Sequence, residues 1–193
     1  MENDVLRYIR ERRSIRKFKE QQIETEARDM ILEAATWAPS GGNSQSWLFT
    51  VIQSKEKLLH LNDLVREAFQ HWVPDDNYPA KHAVKGKSSQ EGYSFYYHAP
   101  TLVVLSNRPH YENAMADCSL ALENMFITAQ SLGLGSCYIN QLHWLRHDPK
   151  VRAYLGEMGI PAEHTICSSA AIGYIAAETP PSPRKEGTIR IIS

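Results

Sequence analysis

Arg12-Arg13-Ser14-Ile15-Arg16 is the stretch of sequence from which the fold and the function of this chain can be argued. It follows an amphipathic segment and gathers arginines around a serine at the expected end of a helix. An arginine offers planar donors that match a phosphate, and a serine hydroxyl adds another donor. Alone the signal is weak, because clustered arginines on a helix usually form a solvated face. Two later segments give it weight.

The second segment, residues 38–47, reads Ala-Pro-Ser-Gly-Gly-Asn-Ser-Gln-Ser-Trp, and the third, residues 183–185, reads Pro-Arg-Lys. Paired glycines let backbone N–H groups approach a ligand closely, and the side chain of Asn43 both donates and accepts hydrogen bonds. Taken singly, these segments indicate a turn and a charged surface. Together with residues 12–16 they indicate a binding site for a flat, phosphorylated, reducible ligand.

Composition indicates one soluble globular domain over residues 1–193. Apolar residues make up 42% of the chain and charged residues 22%, and the formal charge of −1 gives no sign of a nucleic acid or a membrane surface as partner. The longest apolar runs are far shorter than a bilayer requires. The chain starts without a signal peptide, so we expect the cytosol as its compartment.

The cysteines are consistent with that compartment. Cys118, Cys137 and Cys167 are far apart, and each lies in an apolar neighbourhood. We interpret them as buried free thiols, which favour a reducing environment. No CxxC spacing occurs, and His143 and His147 lack a third ligand nearby, so no metal site is expected.

Hydrophobic periodicity predicts helices that alternate irregularly with strands. The buried stripe of the second helix should include Met30, and that of the long helix Met115. The predicted helices start near Val5 and Ser54 and cover residues 24–37, 112–132 and 148–156; the predicted strands cover residues 47–52, 101–105, 136–139, 165–175 and 189–192. The order is not a clean βαβ alternation, so it favours an α+β sandwich. The detached strand at 189–192 is expected to pair with a partner subunit.

Residues 71–98 have no clear period. A loop of this length in a compact domain is often a lid, so we expect a lid-like insertion; a mobile insertion without a role is the alternative. Its many aromatic residues favour the lid: Trp72, Tyr78, Tyr93, Phe95, Tyr96 and Tyr97. Asp75 and Asp76 within it are expected to form a turn rather than an acid–base pair.

The three polar segments, in this order and at these distances, resemble the FMN-dependent nitroreductase family, which includes the iodotyrosine deiodinases. The resemblance continues through residues 133–140 and Gly173-Tyr174, and covers the chain except 71–98. It implies a three-layer α-β-α sandwich with a mostly antiparallel central sheet and a C-terminal strand exchanged with the partner subunit. It also implies a homodimer with active sites at the subunit interface.

The resemblance also implies roles for individual residues. The FMN phosphate is held by the first arginine of the motif and by a late basic residue, and the ribityl chain and the pyrimidine end of the flavin lie along the rest of the motif. A loop from the second subunit packs on the isoalloxazine, and a donor near flavin N5 follows a strand, at either of two neighbouring positions. The corresponding residues here are Arg12 and Arg184 for the phosphate, with Lys185 as a weaker candidate; Arg13, Ser14 and Arg16 along the flavin; Pro39, Ser40 and Asn43 in the loop; and Ile139 with Asn140 or Gln141 near N5.

Because FMN carries the redox chemistry, no catalytic side chain is required. The function implied is reduction of the flavin by NADH or NADPH, followed by ping-pong reduction of a small acceptor such as a nitroaromatic or a quinone. One alternative is a reductive dehalogenase-like flavoenzyme, although the loop is closer to nitroreductases and 71–98 offers no assignable Glu-Tyr-Lys clamp. Others are a flavin-binding protein without turnover and a non-enzymatic domain whose basic residues are surface charge.

Overall fold

An antiparallel sheet forms the centre of the computed structural model, which describes residues 3–74 and 78–192; the turn expected at Asp75-Asp76 lies outside them. Within the described residues the sheet has the order β1-β2-β4-β3. Its strands are β1 (Trp47–Ile52), β2 (Thr101–Asn107), β3 (Leu134–Ile139) and β4 (Thr165–Tyr174). Every neighbouring pair is antiparallel. These strands are the four internal ones that the sequence predicts.

Helices cover both faces of this sheet. Their bounds are α1 (Asp4–Glu11), α2 (Thr25–Thr36), α3 (Lys55–His71), α4 (Pro79–Ser88), α5 (Ala114–Ser131), α6 (Gln141–Trp144) and α7 (Pro149–Glu157). Helices α3, α6 and α7 contribute to the hydrophobic cluster on one face, and α2 and α5 to the cluster on the other. The predicted α-β-α sandwich is therefore confirmed.

Strand β2 shows why two helical layers are needed. It is buried along its whole length. Leu102 and Val104 enter the cluster with α3, whereas Val103 and Leu105 enter the cluster with α5. Successive side chains of a strand point to opposite faces, so an unbroken apolar run requires cover on both sides.

The N-terminal segment lies along the β3 edge of the sheet and fixes where the arginine motif sits. Ser14 forms a parallel bridge with Ser136, and the Ile15 amide donates to the Ser136 carbonyl at 2.9 Å. Gly135 makes this approach possible, because a Cβ there would lie 2.8 Å from Ile15 Cγ1. The segment is thus held against β3 at a point where a side chain would not fit.

The insertion at 71–98 is more ordered than the sequence suggests. It contains helix α4, which begins at Pro79, and its aromatic residues Phe95 and Tyr96 are buried in the core beside α3. The expectation of a long aperiodic loop is wrong over these residues, because the mixed lysine, histidine and glycine content of α4 hides the helical period. Proline in the first turn was the available signal.

Two expectations about burial, at Met30 and Met115, need correction, whereas the pairing of residues 189–192 with a partner subunit is not tested by a single chain and stays a prediction. Residues 189–192 form no strand among the described residues, and Ile189, Ile191 and Ile192 are 84%, 87% and 90% exposed. Met30 and Met115, placed in buried stripes by the pattern, are 50% and 36% exposed. The periodicity identifies an apolar face correctly, but a single chain does not cover all of it. The three cysteines are buried free thiols, as predicted.

Candidate functional site

Arg12 lies where α1 ends, and its side chain turns toward α5. The guanidinium carbon is 5.7 Å from the centroid of the Phe126 ring, and Nε is 3.7 Å from a carboxylate oxygen of Glu123. Nε is nevertheless buried without a hydrogen-bond partner in the described chain. A buried donor that lacks an acceptor costs about 1–3 kcal/mol, so this group is suited to an added ligand.

Arg13 has a similar orphan donor. Its Nη1 donates to the carbonyls of Arg10 and Arg12, both at 2.6 Å, which folds the guanidinium back on the end of α1. Its Nε is also buried and has no hydrogen-bond partner among the described residues. Two neighbouring arginines therefore present unused N–H groups at the end of one helix.

Arg16 lies further along the same edge. Its Nη1 donates to the Ser14 carbonyl at 3.3 Å, and its guanidinium carbon is 5.8 Å from the centroid of the Tyr97 ring. Burial acts to lower the pKa of Arg16, but the hydrogen bond with Tyr97 and the charge interactions with Cys137 and Tyr97 together outweigh burial, so the net shift is upward. Burial raises the pKa of the Cys137 thiol on β3, while Arg16 and Arg12 act in the opposite direction. The structure thus brings both arginines into electrostatic reach of one point on β3.

The loop that contains Pro39, Ser40 and Asn43 is held by α5. The Gly41 amide donates to the two carboxylate oxygens of Asp117 at 3.1 and 3.3 Å, and Asp117 is itself buried. The Tyr111 hydroxyl lies 2.9 Å from Asp117 Oδ2 and 3.0 Å from the Gly41 carbonyl. The two side chains therefore bind both the backbone N–H and the backbone carbonyl of Gly41.

Steric and backbone details show that this loop has little freedom. A Cβ at Gly41 would lie 2.3 Å from Asn113 Nδ2. Asn43 and Gln45 have φ angles of 52° and 45°, in the left-handed region, and the Gln45 side chain donates to Asn43 Oδ1 at 3.0 Å. Non-glycine residues in this region carry strain, which persists only where the surroundings determine it.

The loop and the arginines lie apart within one chain. The loop leads into β1 at one edge of the sheet, whereas Ser14 lies beyond β3 at the other edge. The two also approach the sheet at different heights along β4. Asn107, beside the start of β1, pairs with Thr165 of β4, whereas Ser136, beside Ser14, pairs with Ile172 of β4. Their contacts with α5, at Asp117 for the loop and at Glu123 for Arg12, are six residues or about 9 Å apart along the helix, so the separation is below about 25 Å.

The residues expected near flavin N5 occupy the end of β3 and the start of α6. Ile139 and Gln141 are buried, and Asn140 caps α6 without a side-chain cap hydrogen bond. Tyr93 from the insertion lies beside Gln141; burial raises the pKa of Tyr93 to about 12, and Gln141 acts to lower it. The insertion therefore contributes a neutral phenol to this end of the strand.

The remaining sequence expectations have different outcomes. Arg184 and Lys185 lie in an exposed tail, and within the described residues neither makes a hydrogen bond or an ion pair. His143 Nδ1 is 2.8 Å from the Ile166 carbonyl, a backbone contact. The described residues contain no group of three or more His, Cys, Asp or Glu arranged for a metal. None of the described helices is both long and apolar enough to cross a bilayer.

Comparison with known proteins identifies the family. Residues 9–174 match the Nitroreductase family model. This chain belongs to the nitroreductase family. A Bacteroides fragilis nitroreductase, solved with bound FMN, is 41% identical to it with a TM-score of 0.91, and the alignment covers 100% of both chains. The resemblance inferred from the motifs is thereby confirmed, as is the fold.

Two curated relatives of this nitroreductase-family chain carry functional names. One from Archaeoglobus fulgidus, named an NADH dehydrogenase/NAD(P)H nitroreductase, is 28% identical over 171 residues, which are 89% of this chain and 85% of the relative. The other, FMN reductase (NADPH) from Bacillus subtilis, is 26% identical over 144 residues, which are 71% of this chain and 54% of the relative.

Sequence reasoning missed the two residues that hold the 39–43 loop. Tyr111 precedes α5, and Asp117 lies on the buried side of an otherwise apolar helix. A lone carboxylate on a buried stripe requires a partner, since an unpaired buried charge is costly. This pattern could have identified Asp117 from the sequence. No comparable sequence pattern points to Tyr111.

Proposed function

We propose that this protein is an FMN-dependent oxidoreductase that takes electrons from NADH or NADPH and passes them to a small acceptor. The observation that carries the proposal is the pair of orphan N–H groups on Arg12 and Arg13, beside the β3 edge of a nitroreductase fold. The FMN-bound relative with 41% identity supports the same cofactor.

The residues present fit a phosphorylated flavin. A phosphate monoester offers several charged oxygens, and the Nε groups of Arg12 and Arg13 are donors without acceptors. The Ser14 hydroxyl follows in the same edge segment. In this proposal Arg12 and Arg13 bind the phosphate, Ser14 binds along the ribityl chain, and Arg184 with Lys185 reaches the phosphate from the tail.

Once bound, FMN supplies two-electron redox chemistry, accepting a hydride at N5 and returning electrons to the acceptor. The contribution of the protein is electrostatic and positional. Arg16 keeps its positive charge throughout the physiological range, as arginines do, and its surroundings raise its pKa further. A fixed cation at the pyrimidine end stabilises negative charge that develops there. Asn140 or Gln141 supplies the donor that orients the N5 edge.

We place the complete site between two subunits. Pro39, Ser40 and Asn43 lead into the β1 edge of the sheet, whereas the arginines of the same chain lie at the β3 edge, so in this proposal the loop covers a different ring from the one those arginines bind. In a homodimer the same loop reaches the site of the other subunit. Exposed apolar residues on α1, namely Val5, Leu6 and Ile9, are compatible with such an interface.

For the acceptor we propose a nitroaromatic, a quinone or a similarly flat small molecule, reduced by a ping-pong mechanism in the pocket that the nucleotide vacates. Trp72, Tyr78 and Trp144 form an aromatic group at α6, and Trp72 and Trp144 pack against the cluster that contains Phe95 and Tyr96. The Trp72 and Trp144 rings stack with centroids 6.0 Å apart, and Tyr78 meets Trp144 edge to face. A flat acceptor complements such a surface.

An absorption spectrum of the freshly purified protein tests the cofactor, and anaerobic addition of NADH or NADPH tests turnover. We expect a yellow protein whose flavin bleaches with at least one nucleotide and recovers on addition of a quinone or a nitroaromatic. A colourless protein that does not take up added FMN would contradict the proposal. Bound flavin that neither nucleotide bleaches would indicate a flavin-binding protein without turnover.

A further inference from the structure

A second polar cavity lies away from the proposed flavin site, between the α6–α7 connection, α7 and the residues that precede β4. Its volume is about 540 Å³. Arg146, Arg152 and His164 line it, and Glu163 is the carboxylate on its wall. Two arginines against one glutamate leave the cavity positive even when its histidines are neutral.

Neither arginine has a carboxylate partner among the described residues, although Glu163 lines the same cavity. Arg146 Nη1 donates to the His143 carbonyl at 2.9 Å, and Arg152 Nη2 donates to the carbonyls of Pro161 and Ala162 at 3.0 and 2.8 Å. Arg152 Nη1 is buried and makes no hydrogen bond within the described chain. These contacts fix both guanidinium groups while leaving donors unused, which is a common arrangement for binding an anion.

His164 is the third candidate donor in this cavity, beside Arg146 and Arg152. The Ser106 hydroxyl, which is fully buried, lies 3.1 Å from His164 Nδ1. With that hydroxyl donating, the proton of the imidazole sits on Nε2, where it is available to a ligand. The backbone of α7 is not the source of donors, because the Asp148 side chain already accepts from the amides of Lys150 and Val151.

We propose that this cavity binds a phosphoryl anion through Arg146, Arg152 and His164. Phosphate oxygens match all three donors, since each accepts from a planar guanidinium or an imidazole N–H. The site is separate from the arginine motif at residues 12–16: Thr165 at the cavity lies seven residues along β4 from Ile172, which pairs with Ser136. At about 3.3 Å per residue that is roughly 20 Å. The phosphoryl group belongs either to a nucleotide or to free phosphate.

Isothermal titration of the whole folded protein at pH 7, with inorganic phosphate and with adenosine 2′,5′-bisphosphate as probes, tests the site. We expect saturable binding of at least one probe and at least tenfold weaker binding by Arg146→Gln and by Arg152→Gln. Lys150→Gln is the matched control, because it removes one positive charge from α7 at a side chain paired with Glu67. Its affinity should equal that of the unmodified protein.

Tighter binding of the bisphosphate than of phosphate would support the site and identify a nucleotide as the source. Equal affinities would support it with the free anion as the ligand. Absence of saturable binding, or equal weakening by Lys150→Gln, would overturn it. Since Arg152 also holds two loop carbonyls, Arg146→Gln decides the outcome if the Arg152 variant does not fold.

Discussion

At the scale of single residues, the first question is whether Arg12 holds a phosphate. Replacement Arg12→Ala removes one charge-assisted contact, which is worth about 1.5–3 kcal/mol. We therefore expect FMN affinity to fall by about 10- to 150-fold without unfolding, and Arg184→Ala to act in the same direction. Fluorescence titration of the apoprotein with FMN measures both. Arg7→Ala is the control, since Arg7 lies on the same helix and pairs with Asp4 in solvent; equal affinity in all three variants would refute the assignment.

Asp117 tests whether a buried carboxylate shapes the site of another subunit. Asp117→Asn keeps the size of the side chain but replaces an acceptor facing Gly41 and Tyr111 with a donor. We expect about tenfold faster FMN release, equivalent to about 1.4 kcal/mol, with the fold retained. Asp148→Asn is the control, because it makes the same chemical change at a helix cap on α7, where asparagine also caps well, and should leave FMN release unchanged. Release at the same rate in both variants would separate the loop from flavin binding.

His143 makes stability depend on pH. Burial lowers its pKa, and its contact with the Ile166 carbonyl only partly offsets this. The unfolded chain, with an ordinary histidine pKa of about 6.5, takes up the proton first as the pH falls. The stabilising contribution is therefore full above about pH 6.5 and declines below it, by at most about 1.4 kcal/mol per pH unit for one proton. Urea unfolding between pH 7 and pH 5 should show a shallower decline for His143→Asn; parallel curves would exclude this role.

At the scale of elements, the contact between residues 14–16 and β3 is where we expect substitution to affect both stability and flavin binding. Gly135→Ala would place a methyl group 2.8 Å from Ile15, which is buried and hydrogen-bonded to Ser136. We expect a loss of about 1–3 kcal/mol in the free energy of unfolding and weaker FMN retention, because the arginine motif must move. Denaturant unfolding and flavin content measure the two effects.

Gly156→Ala is the matched control for that substitution. Gly156 lies in α7 with nothing within 4 Å of an added Cβ. Alanine is favoured over glycine in a helix by up to about 1 kcal/mol, so this variant should be neutral or slightly more stable. Similar losses in both variants would mean that packing against Ile15 is not the cause.

The same scale shows what the sequence could and could not predict. Strands β1 and β2 and helix α5 were predicted because their residues obey a clear period and their ends carry proline or glycine signals. Helix α4 was missed because its stability comes from packing against α3 and from Pro79, not from an apolar stripe of its own. The motif around Arg12 is identifiable in the sequence. The hydrogen bonds by which Tyr111 and Asp117 hold the 39–43 loop, however, join residues that are 70 and 76 positions away from Gly41. Local patterns cannot encode that separation.

At the scale of the whole molecule, two observations favour a homodimer: the distribution of exposed apolar groups and the separation of the two halves of the proposed site. The arginines and the covering loop lie on opposite edges of the sheet, and the apolar faces of α1 and the tail are open in a single chain. Apolar surface of this kind is stabilised when it is buried. The homodimer that we propose would meet both requirements together, because it would supply the loop and cover the exposed faces.

Removing the C-terminal tail tests directly whether the tail stabilises a homodimer. Residues 185–193 follow Arg184, and Ile189, Ile191 and Ile192 among them are almost fully exposed. Burying an isoleucine against a partner contributes about 1.5–3 kcal/mol, so a chain ending at Arg184 should show a dimer dissociation constant raised at least about 100-fold, which is about 2.7 kcal/mol. Sedimentation across a dilution series measures the constant. Val73→Ser is the control, since Val73 is 82% exposed but lies in the insertion. If the shortened chain keeps an unchanged dimer, the tail does not pair with the partner. The shared site would then depend on other exposed apolar residues, such as Trp37 and those of α1 and α5, which remain available to a second subunit.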